Sequence, residues 1–266
     1  MLRTHGASGR IVIVLHGGPG APGSAASLAR GLADEFRTLE PFQRRADDAP
    51  LTVARHIADL HAIVANCGDP RPALVGHSWG AMLALAYAAA HPGTLASLAL
   101  VGCGTFDLAS RAKFRARLDA RMDAAFRVRL ASLDEIADPD ARLSAKGALL
   151  GSIYDVDVLP DDADSPPADA RGGAETWQDM LRLQEAGVYP ADFAAIDAPA
   201  LMLHGDDDPH PGRMIHASLQ PWMPQLEYVS WARCGHSPWR ERAAREDFCT
   251  TLKAWLRVSL ATKPRG

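Results

Sequence analysis

The amino-acid sequence predicts an α/β fold built on a mostly parallel sheet. Short apolar runs rich in β-branched residues alternate with stretches whose apolar residues recur at helical spacing. This alternation is typical of a parallel sheet with helices on both faces. Residues 106–196 break the alternation and are mostly helical in pattern. We therefore expect an α/β core made of residues 1–105 and 197–266, with residues 106–196 inserted as a helical cap.

The first hundred residues carry the clearest element signals. The run RIVIVLHGG is apolar and β-branched up to its glycines, which predicts a buried strand. An alanine-rich helical run ends at Pro92 and Gly93, two residues that commonly follow a helix. The predicted elements are strands at 10–18, 72–76 and 95–102 and helices at 24–36, 52–65 and 81–91.

The second half of the chain begins with the predicted cap and ends with the remaining core elements. A charged stretch at 111–130 places apolar residues at helical spacing, and the acidic, Pro- and Gly-rich stretch 157–173 predicts a mobile loop. After the cap, the runs at 199–205 and 226–230 predict strands, and residues 241–260 predict a closing helix.

Composition and charge narrow the possible functions. Hydrophobic residues make up 47% of the 266 residues and charged residues 23%, which suits a globular protein with a sizeable core. A net charge of −4 gives no electrostatic reason to expect a nucleic-acid partner. No run approaches the roughly 20 apolar residues of a membrane span, and no targeting segment is visible. We expect a cytoplasmic protein without membrane or nucleic-acid partners, and its oligomeric state is not indicated.

The cysteines suggest neither a disulfide framework nor a metal site. Four of them are scattered along the chain without paired or metal-ligand spacing, which predicts reduced thiols. They are Cys67, Cys103, Cys234 and Cys249.

The stretch VGHSWGAML carries the main chemical signal. It places Ser78 between Gly76 and Gly80, directly after a predicted strand and before a predicted helix. The G-x-S-x-G pattern in this setting predicts a sharp turn that exposes a nucleophilic hydroxyl. A serine hydroxyl is a weak nucleophile near pH 7, so it needs a base that is itself oriented by a carboxylate.

Candidates for the base and the carboxylate follow the last two predicted strands. The run HGDDDPH places Asp206, Asp207 and Asp208 after one strand, and CGHSP places His236 after the other. Loops at the carboxyl ends of parallel strands lie on the same side of a sheet, where sites form. The Gly-rich turn HGGPG ends the first strand and would let backbone N–H groups approach an oxyanion, together with the Trp79 amide that follows the nucleophile.

In their order along the chain, HGGPG, GHSWG, HGDDD and CGHSP resemble the motifs of the α/β-hydrolase superfamily over nearly the whole sequence. The resemblance implies Asp208 as the acid, His236 as the base and Gly18 as the second oxyanion donor, with the cap following the sixth strand of the family's sheet. Family members usually have a strand hairpin before the oxyanion strand. Only nine residues precede Arg10, so we expect a shortened edge and about six strands.

HGGPG together with SWG more narrowly resembles the proline iminopeptidases, which are serine aminopeptidases. That group usually has glycine where this chain has His77, and it uses acidic cap residues to hold the free amine of the substrate. Glu175, Asp179 and Glu185 are the acidic residues of the cap that the resemblance would assign to this role, with a solvated helix face as the alternative.

The sequence therefore predicts a serine hydrolase that forms an acyl-enzyme and needs no metal or organic cofactor. A carboxylesterase for small to medium acyl esters is our first hypothesis, and an aminopeptidase or amidase is the second. A homologue that binds a ligand with little or no turnover is the alternative from another class. Apolar cap residues could line the pocket. For His210, which lies close to Asp208, we expect a surface position first, with a place in the pocket as the other possibility. The predicted pocket residues are Trp177, Met180, Leu181, Tyr189 and His210.

Overall fold

The computed structural model describes residues 1–160 and 166–261, and all its strands within those ranges belong to one sheet. The strands are β1 (Leu2–His5), β2 (Ile11–Leu15), β3 (Arg37–Pro41), β4 (Ala73–His77), β5 (Ser97–Val101), β6 (Ala200–Gly205) and β7 (Leu226–Trp231). Their order across the sheet is β1-β3-β2-β4-β5-β6-β7. The six strands β2 to β7 run parallel, and β1 pairs antiparallel with β3 at the edge. The predicted α/β class and the mostly parallel sheet are thus confirmed.

Helices cover both faces of this sheet. Those of the core are α1 (Ala26–Leu32), α2 (Val53–Asn66), α3 (Trp79–Ala90), α8 (Gly212–Leu219) and α9 (Arg245–Ala261), and those of the inserted segment are α4 (Leu108–Arg121), α5 (Ala124–Ser132), α6 (Pro139–Tyr154) and α7 (Ala170–Glu185). Successive side chains of β2 enter two different apolar clusters, one containing Ile13 and α3, the other Val14 and α1. A strand buried on both faces must be apolar throughout, as the run Ile11–Leu15 is.

Helix α3 is the most deeply buried helix of the core. Ten of its residues are buried, and half of them are glycine or alanine, which lets the helix pack closely against β4 and β5. Its first residue follows Ser78 directly. The position of this helix in the core therefore fixes the position of Ser78 at the carboxyl edge of the sheet.

Strand β3 was not predicted. Its sequence RTLEP contains two charged residues and a proline, a composition that is depleted in strands. The tertiary structure reverses this preference, because Glu40 is fully buried and its carboxylate accepts hydrogen bonds from the Arg3 guanidinium of β1, at 2.8 and 2.9 Å. A buried carboxylate paired in this way ties the edge strand to the sheet.

Three predicted helices have different bounds in the structure. The helix predicted at 24–36 is shorter, as α1 ends at Leu32. The stretch predicted at 111–130 forms two helices, because Asp123 leaves the helical conformation and caps α5 by accepting a hydrogen bond from the Phe126 N–H at 2.7 Å. The closing helix begins at Arg245 rather than residue 241.

Segment 106–196 contains α4 to α7 and two short 3₁₀ turns, and no strand is found in its described residues. Within the predicted loop 157–173, residues 161–165 lie outside the described residues, and residues 170–173 form the first turn of α7 instead. That turn is capped by Asp169, whose side chain accepts a hydrogen bond from the Gly172 N–H at 3.0 Å. In the ranges 1–160 and 166–261, the structure has no helix with the length and apolar character that crossing a bilayer requires.

Candidate active site

Ser78 sits at a strained turn between β4 and α3. Its backbone has φ 55° and ψ −117°, a combination that residues other than glycine rarely adopt. The turn needs glycine on both sides: a Cβ on Gly76 would lie 2.3 Å from the Gly80 carbonyl oxygen, and one on Gly80 would lie 2.6 Å from that of His16. Ser78 is partly exposed, whereas its neighbours in the turn, His77 and Trp79, are buried.

The structure brings Asp208 and His236 together. Asp208 follows β6 and is fully buried, whereas Asp206 and Asp207 are exposed. His236 follows β7, and its Nδ1 donates a hydrogen bond of 2.7 Å to Asp208 Oδ2. Burial alone would lower the pKa of His236, but the charge of the Asp208 carboxylate and this hydrogen bond raise it above its usual value. The imidazole is therefore oriented by a carboxylate and made more basic by it.

The His236 loop lies against the serine turn. The Nε2–H of His77, the residue before Ser78, donates to the His236 carbonyl at 3.2 Å, and the two rings are 4.7 Å apart. Gly102, which follows β5, leaves space for the ring, since a Cβ there would lie 3.0 Å from His236 Nδ1. The carboxyl ends of β4, β5, β6 and β7 thus meet at one place.

The Gly-rich turn after β2 lies on the other side of Ser78. A Cβ on Gly17 would be 3.1 Å from the Ser78 Cβ, so only glycine lets this backbone approach so closely. Gly18 has φ 61°, and its carbonyl accepts the Ala21 N–H at 2.9 Å to close the turn. Trp79 is the first residue of α3, where an amide has no intrahelical acceptor. Its indole Nε1–H donates to Gln43 Oε1 at 2.7 Å, which holds the start of the helix in place.

The Asp208 carboxylate contacts three imidazoles, two of which the sequence did not assign to it. His210 Nδ1 lies 3.0 Å from Oδ1, and His204 Nε2 lies 3.1 Å from Oδ2. His210 is buried, with 9% of its surface exposed, which corrects the expectation that it lies at the surface. Burial would raise the pKa of Asp208, but the charges of the surrounding histidines, His236 first, hold it well below its usual range. The contact between His210 and Asp208 has one signal in the sequence, the D-P-H spacing directly after a predicted strand.

The inserted segment also reaches the His236 loop. The Tyr154 carbonyl accepts the His236 N–H at 3.1 Å, and the Tyr154 ring meets the imidazole edge-on at 5.2 Å. The next residue, Asp155, accepts the Ser237 N–H at 3.0 Å. This backbone contact fixes the loop that carries the imidazole.

Glu241 is a buried carboxylate that links the same two segments, and its role was missed in the sequence. It is fully buried and accepts three backbone N–H groups, those of Gly235, Val156 and Asp157, each at 2.8 Å. One acceptor therefore joins the residue before His236 to the chain that leaves α6. Glu241 lies among charged residues in the sequence, a pattern that predicts an exposed helix face.

Two of the predicted pocket residues belong to the hydrophobic core instead. Met180 has no exposed surface, so no space large enough for a water molecule adjoins it. Tyr189 stacks on Phe193 at 5.0 Å and lines a cavity of about 320 Å³ beside Ala86. Ala86 is eight residues into α3, about 12 Å along the helix from Ser78, which separates this cavity from the serine turn. Trp177 is 37% exposed and Leu181 is partly buried, both on α7.

Two of the acidic cap residues that the iminopeptidase resemblance singled out make contacts within the protein. Glu175 accepts the Leu51 N–H at 2.8 Å and the Arg171 Nε–H at 2.8 Å. Asp179 accepts the Val53 N–H at 2.9 Å and is only 11% exposed. Both carboxylates therefore lie at the amino end of α2, where the helix dipole favours negative charge. Glu185 is exposed at the end of α7.

One group of side chains in the described residues has the composition of a metal site. The ligand atoms of Asp208, His210 and His236 all lie within 4.8 Å of one another. Nδ1 of each of these two histidines hydrogen-bonds the Asp208 carboxylate, at 3.0 Å for His210 and 2.7 Å for His236. The four cysteines are free thiols, and burial raises the pKa of Cys103 and Cys234 beyond its usual range.

Comparison with known proteins identifies the family to which this chain is similar. A family model described as the alpha/beta hydrolase family matches residues 12–246. A probable proline iminopeptidase of Streptomyces coelicolor is 33% identical over 109 residues, 36% of this chain and 34% of that protein. A cis-3-alkyl-4-alkyloxetan-2-one decarboxylase of Xanthomonas campestris pv. campestris is 27% identical over 114 residues, 38% of each chain. The aligned region thus spans little more than a third of these curated relatives.

Solved structures share the fold over a larger part of the chain. The crystal structure of a membrane phospholipase A, described as a bacterial virulence factor, superposes with a TM-score of 0.70 and 21% identity. The superposition covers 98% of this chain and 83% of that one.

Proposed function

The chain belongs to the alpha/beta hydrolase family, and from that premise we propose that it is a serine hydrolase that works through an acyl-enzyme. Ser78 is the nucleophile, His236 the general base and Asp208 the carboxylate that orients it. The observation that carries this proposal is the 2.7 Å hydrogen bond between His236 and buried Asp208, beside a serine held at φ 55°. A strained serine, an oriented imidazole and a buried acid are the three parts of a nucleophilic site.

In the acylation step, the Ser78 oxygen attacks the carbonyl carbon of the substrate while His236 Nε2 takes the hydroxyl proton. The tetrahedral intermediate carries a negative oxygen, which the amides of Gly18 and Trp79 stabilise by hydrogen bonds. The bond to the leaving group then breaks, and His236 returns the proton to that group. Asp208 keeps the imidazole in the required tautomer and stabilises its charged form.

In the second step, water replaces the leaving group. His236 takes a proton from the water, whose oxygen attacks the acyl carbon of the acyl-enzyme. Collapse of the second tetrahedral intermediate releases the carboxylic acid, and the proton returns to Ser78. Besides the substrate and this water, both steps use side chains and backbone amides of this chain.

We propose a carboxylic ester of a small or medium acyl group as the substrate, with segment 106–196 acting as the cap over the site. The aminopeptidase alternative needs free carboxylates for a substrate ammonium group. Glu175 and Asp179 are already bonded to the amino end of α2, which favours the ester. The likeness to a probable proline iminopeptidase keeps the aminopeptidase as the second candidate.

A fluorophosphonate probe tests the mechanism, because it reacts with activated serines. We expect labelling of the wild-type protein and none of Ser78→Ala, with Ser132→Ala, an exposed serine, as the matched control. Binding of a small ester without labelling would favour the non-catalytic alternative. Turnover of p-nitrophenyl butyrate but not of proline p-nitroanilide would support the esterase, and the reverse result would support the aminopeptidase.

A further inference from the structure

Of the three imidazoles that contact the buried Asp208 carboxylate, two direct Nδ1 at it. His236 Nδ1 donates to Asp208 Oδ2 at 2.7 Å, and His210 Nδ1 donates to Oδ1 at 3.0 Å. The mechanism proposed above uses only the first. We propose that His210 binds the substrate: its Nε2 accepts a hydrogen bond from a hydroxyl group on the alcohol part of the ester. This inference rests on the proposed function and names the substrate class, an ester of a diol or other polyol.

The His210 ring is held in a fixed orientation. Its backbone N–H donates to the same Asp208 oxygen at 2.8 Å. Phe114 of α4 stacks on it at 4.2 Å with 17° between the planes, and His236 stacks on it at 4.9 Å with 23°. Phe114 and His236 must lie on opposite faces of the imidazole, since one face cannot accommodate both rings. A ring confined in this way loses little freedom when it binds a ligand.

The hydrogen bond to Asp208 determines the chemistry of the opposite ring nitrogen. Asp208 accepts from Nδ1, so the proton of a neutral His210 is on Nδ1 and Nε2 carries a lone pair. Burial lowers the pKa of His210, which favours the neutral ring. Nε2 is therefore a hydrogen-bond acceptor. It makes no hydrogen bond to any residue in the ranges 1–160 and 166–261, and 11% of the side chain is exposed.

The stacking also indicates which part of the substrate Nε2 would meet. Both imidazoles direct Nδ1 at the same carboxylate, so both Nε2 atoms lie on the side of the rings away from Asp208. His236 Nε2 is the atom that gives its proton to the leaving alcohol. His210, 4.9 Å away, therefore lies beside the leaving alcohol rather than the acyl chain. A hydroxyl on the second carbon from the ester oxygen, as in a diol monoester, can reach it while the ester oxygen faces His236.

Three butyrate esters test the proposal in the wild-type protein. 2-Hydroxyethyl butyrate carries the donor, propyl butyrate replaces that hydroxyl with a methyl group, and 2-methoxyethyl butyrate has an ether oxygen that cannot donate. We expect kcat/KM to be highest for the hydroxyethyl ester. Equal values for the hydroxyethyl and methoxyethyl esters would overturn the proposal without any variant having to fold.

A variant then assigns the effect to His210. His210→Phe keeps an aromatic ring between Phe114 and His236 but removes both nitrogens, while His61→Phe alters a partly buried histidine that stacks on His91. We expect the hydroxyethyl-to-propyl ratio of kcat/KM to fall about three- to tenfold in His210→Phe, the range of one hydrogen bond, and to stay unchanged in His61→Phe. The ratio corrects for any general loss of activity through Asp208.

The outcomes separate this inference from the proposed function. If His210→Phe still reacts with the fluorophosphonate probe and keeps the wild-type ratio, His210 does not bind the hydroxyl and the inference is wrong. If the wild-type protein is not labelled and hydrolyses none of the three esters, the proposed function is wrong, and the inference fails with it.

Discussion

Ser78 shows how a single residue can be positioned at the cost of local strain. A positive φ at a residue with a Cβ costs of the order of 1–3 kcal/mol, which the surrounding structure must offset. Here the buried helix α3 on one side and strand β4 on the other hold the residue in place. The strained turn leaves Ser78 partly exposed while its neighbours in the turn are buried.

The pH dependence of activity should follow the raised pKa of His236. A general base must be neutral to accept the serine proton, and the Asp208 charge raises the pKa of His236 above the usual histidine value of about 6.5. Activity should therefore be lost as the pH falls through this raised pKa and be complete above it. Measurement of kcat/KM for an uncharged ester from pH 5 to 9 should give an acid limb with an apparent pKa above 6.5. An acid limb centred well below 6.5 would contradict this assignment.

Asp208→Asn should remove most of the activity without unfolding the protein. Asparagine fits the same space, but its amide cannot orient the imidazole as a carboxylate does or stabilise the imidazolium, and kcat should fall by about 10³- to 10⁴-fold. Asp206→Asn is the matched control, because this neighbour is chemically identical and exposed. Steady-state kinetics would decide the matter. A comparable loss in Asp206→Asn would show that the wrong aspartate has been chosen.

At the scale of elements, strands and helices with a regular apolar pattern could be predicted from the sequence, whereas elements that depend on tertiary contacts could not. The G-x-S-x-G motif and the strands around it follow from local sequence, because glycines and apolar periodicity act over a few residues. Strand β3 could not be predicted, since Glu40 belongs in a strand only once Arg3 of β1 lies beside it. Glu241 could not be recognised either, because three of its partners come from distant or irregular backbone.

The contacts of Glu241 that hold the segment after α6 can be tested by mutation. In Glu241→Ala, the amides of Gly235, Val156 and Asp157 lose their acceptor. We expect the free energy of unfolding to fall by about 2–4 kcal/mol, because buried N–H groups left unpaired carry the full desolvation cost. Chemical denaturation would measure this. Activity should fall as well, since the residue before His236 is freed.

Glu246→Ala provides the control for that measurement. Glu246 is exposed in the first turn of α9 and should change stability by no more than about 0.5 kcal/mol. If Glu241→Ala is as stable and as active as Glu246→Ala, the buried carboxylate does not hold the histidine loop.

At the scale of the whole molecule, the inserted segment contacts three of the loops around the site, those of Asp208, His236 and Gly20. Arg117 of α4 donates to the Asp208 carbonyl at 3.0 Å. The end of α6 holds the His236 loop, and Asp169 before α7 donates its N–H to the Gly20 carbonyl at 2.7 Å. The parallel sheet gathers the loops at one edge, and the insertion then fixes them relative to one another.

The contact between Asp179 of α7 and the first turn of α2 allows a test that distinguishes the esterase from the aminopeptidase. Asp179 accepts the N–H of Val53, the first residue of α2, at 2.9 Å. If this is its role, Asp179→Ala should lower the free energy of unfolding by about 1–2 kcal/mol, as the loss of a helix-capping acceptor does, without changing kcat/KM for p-nitrophenyl butyrate or proline p-nitroanilide. Glu185→Ala, at an exposed position on the same helix, should change neither stability nor kinetics. A selective rise in KM for the proline substrate in Asp179→Ala would show instead that this carboxylate binds a substrate ammonium group, and would favour the aminopeptidase.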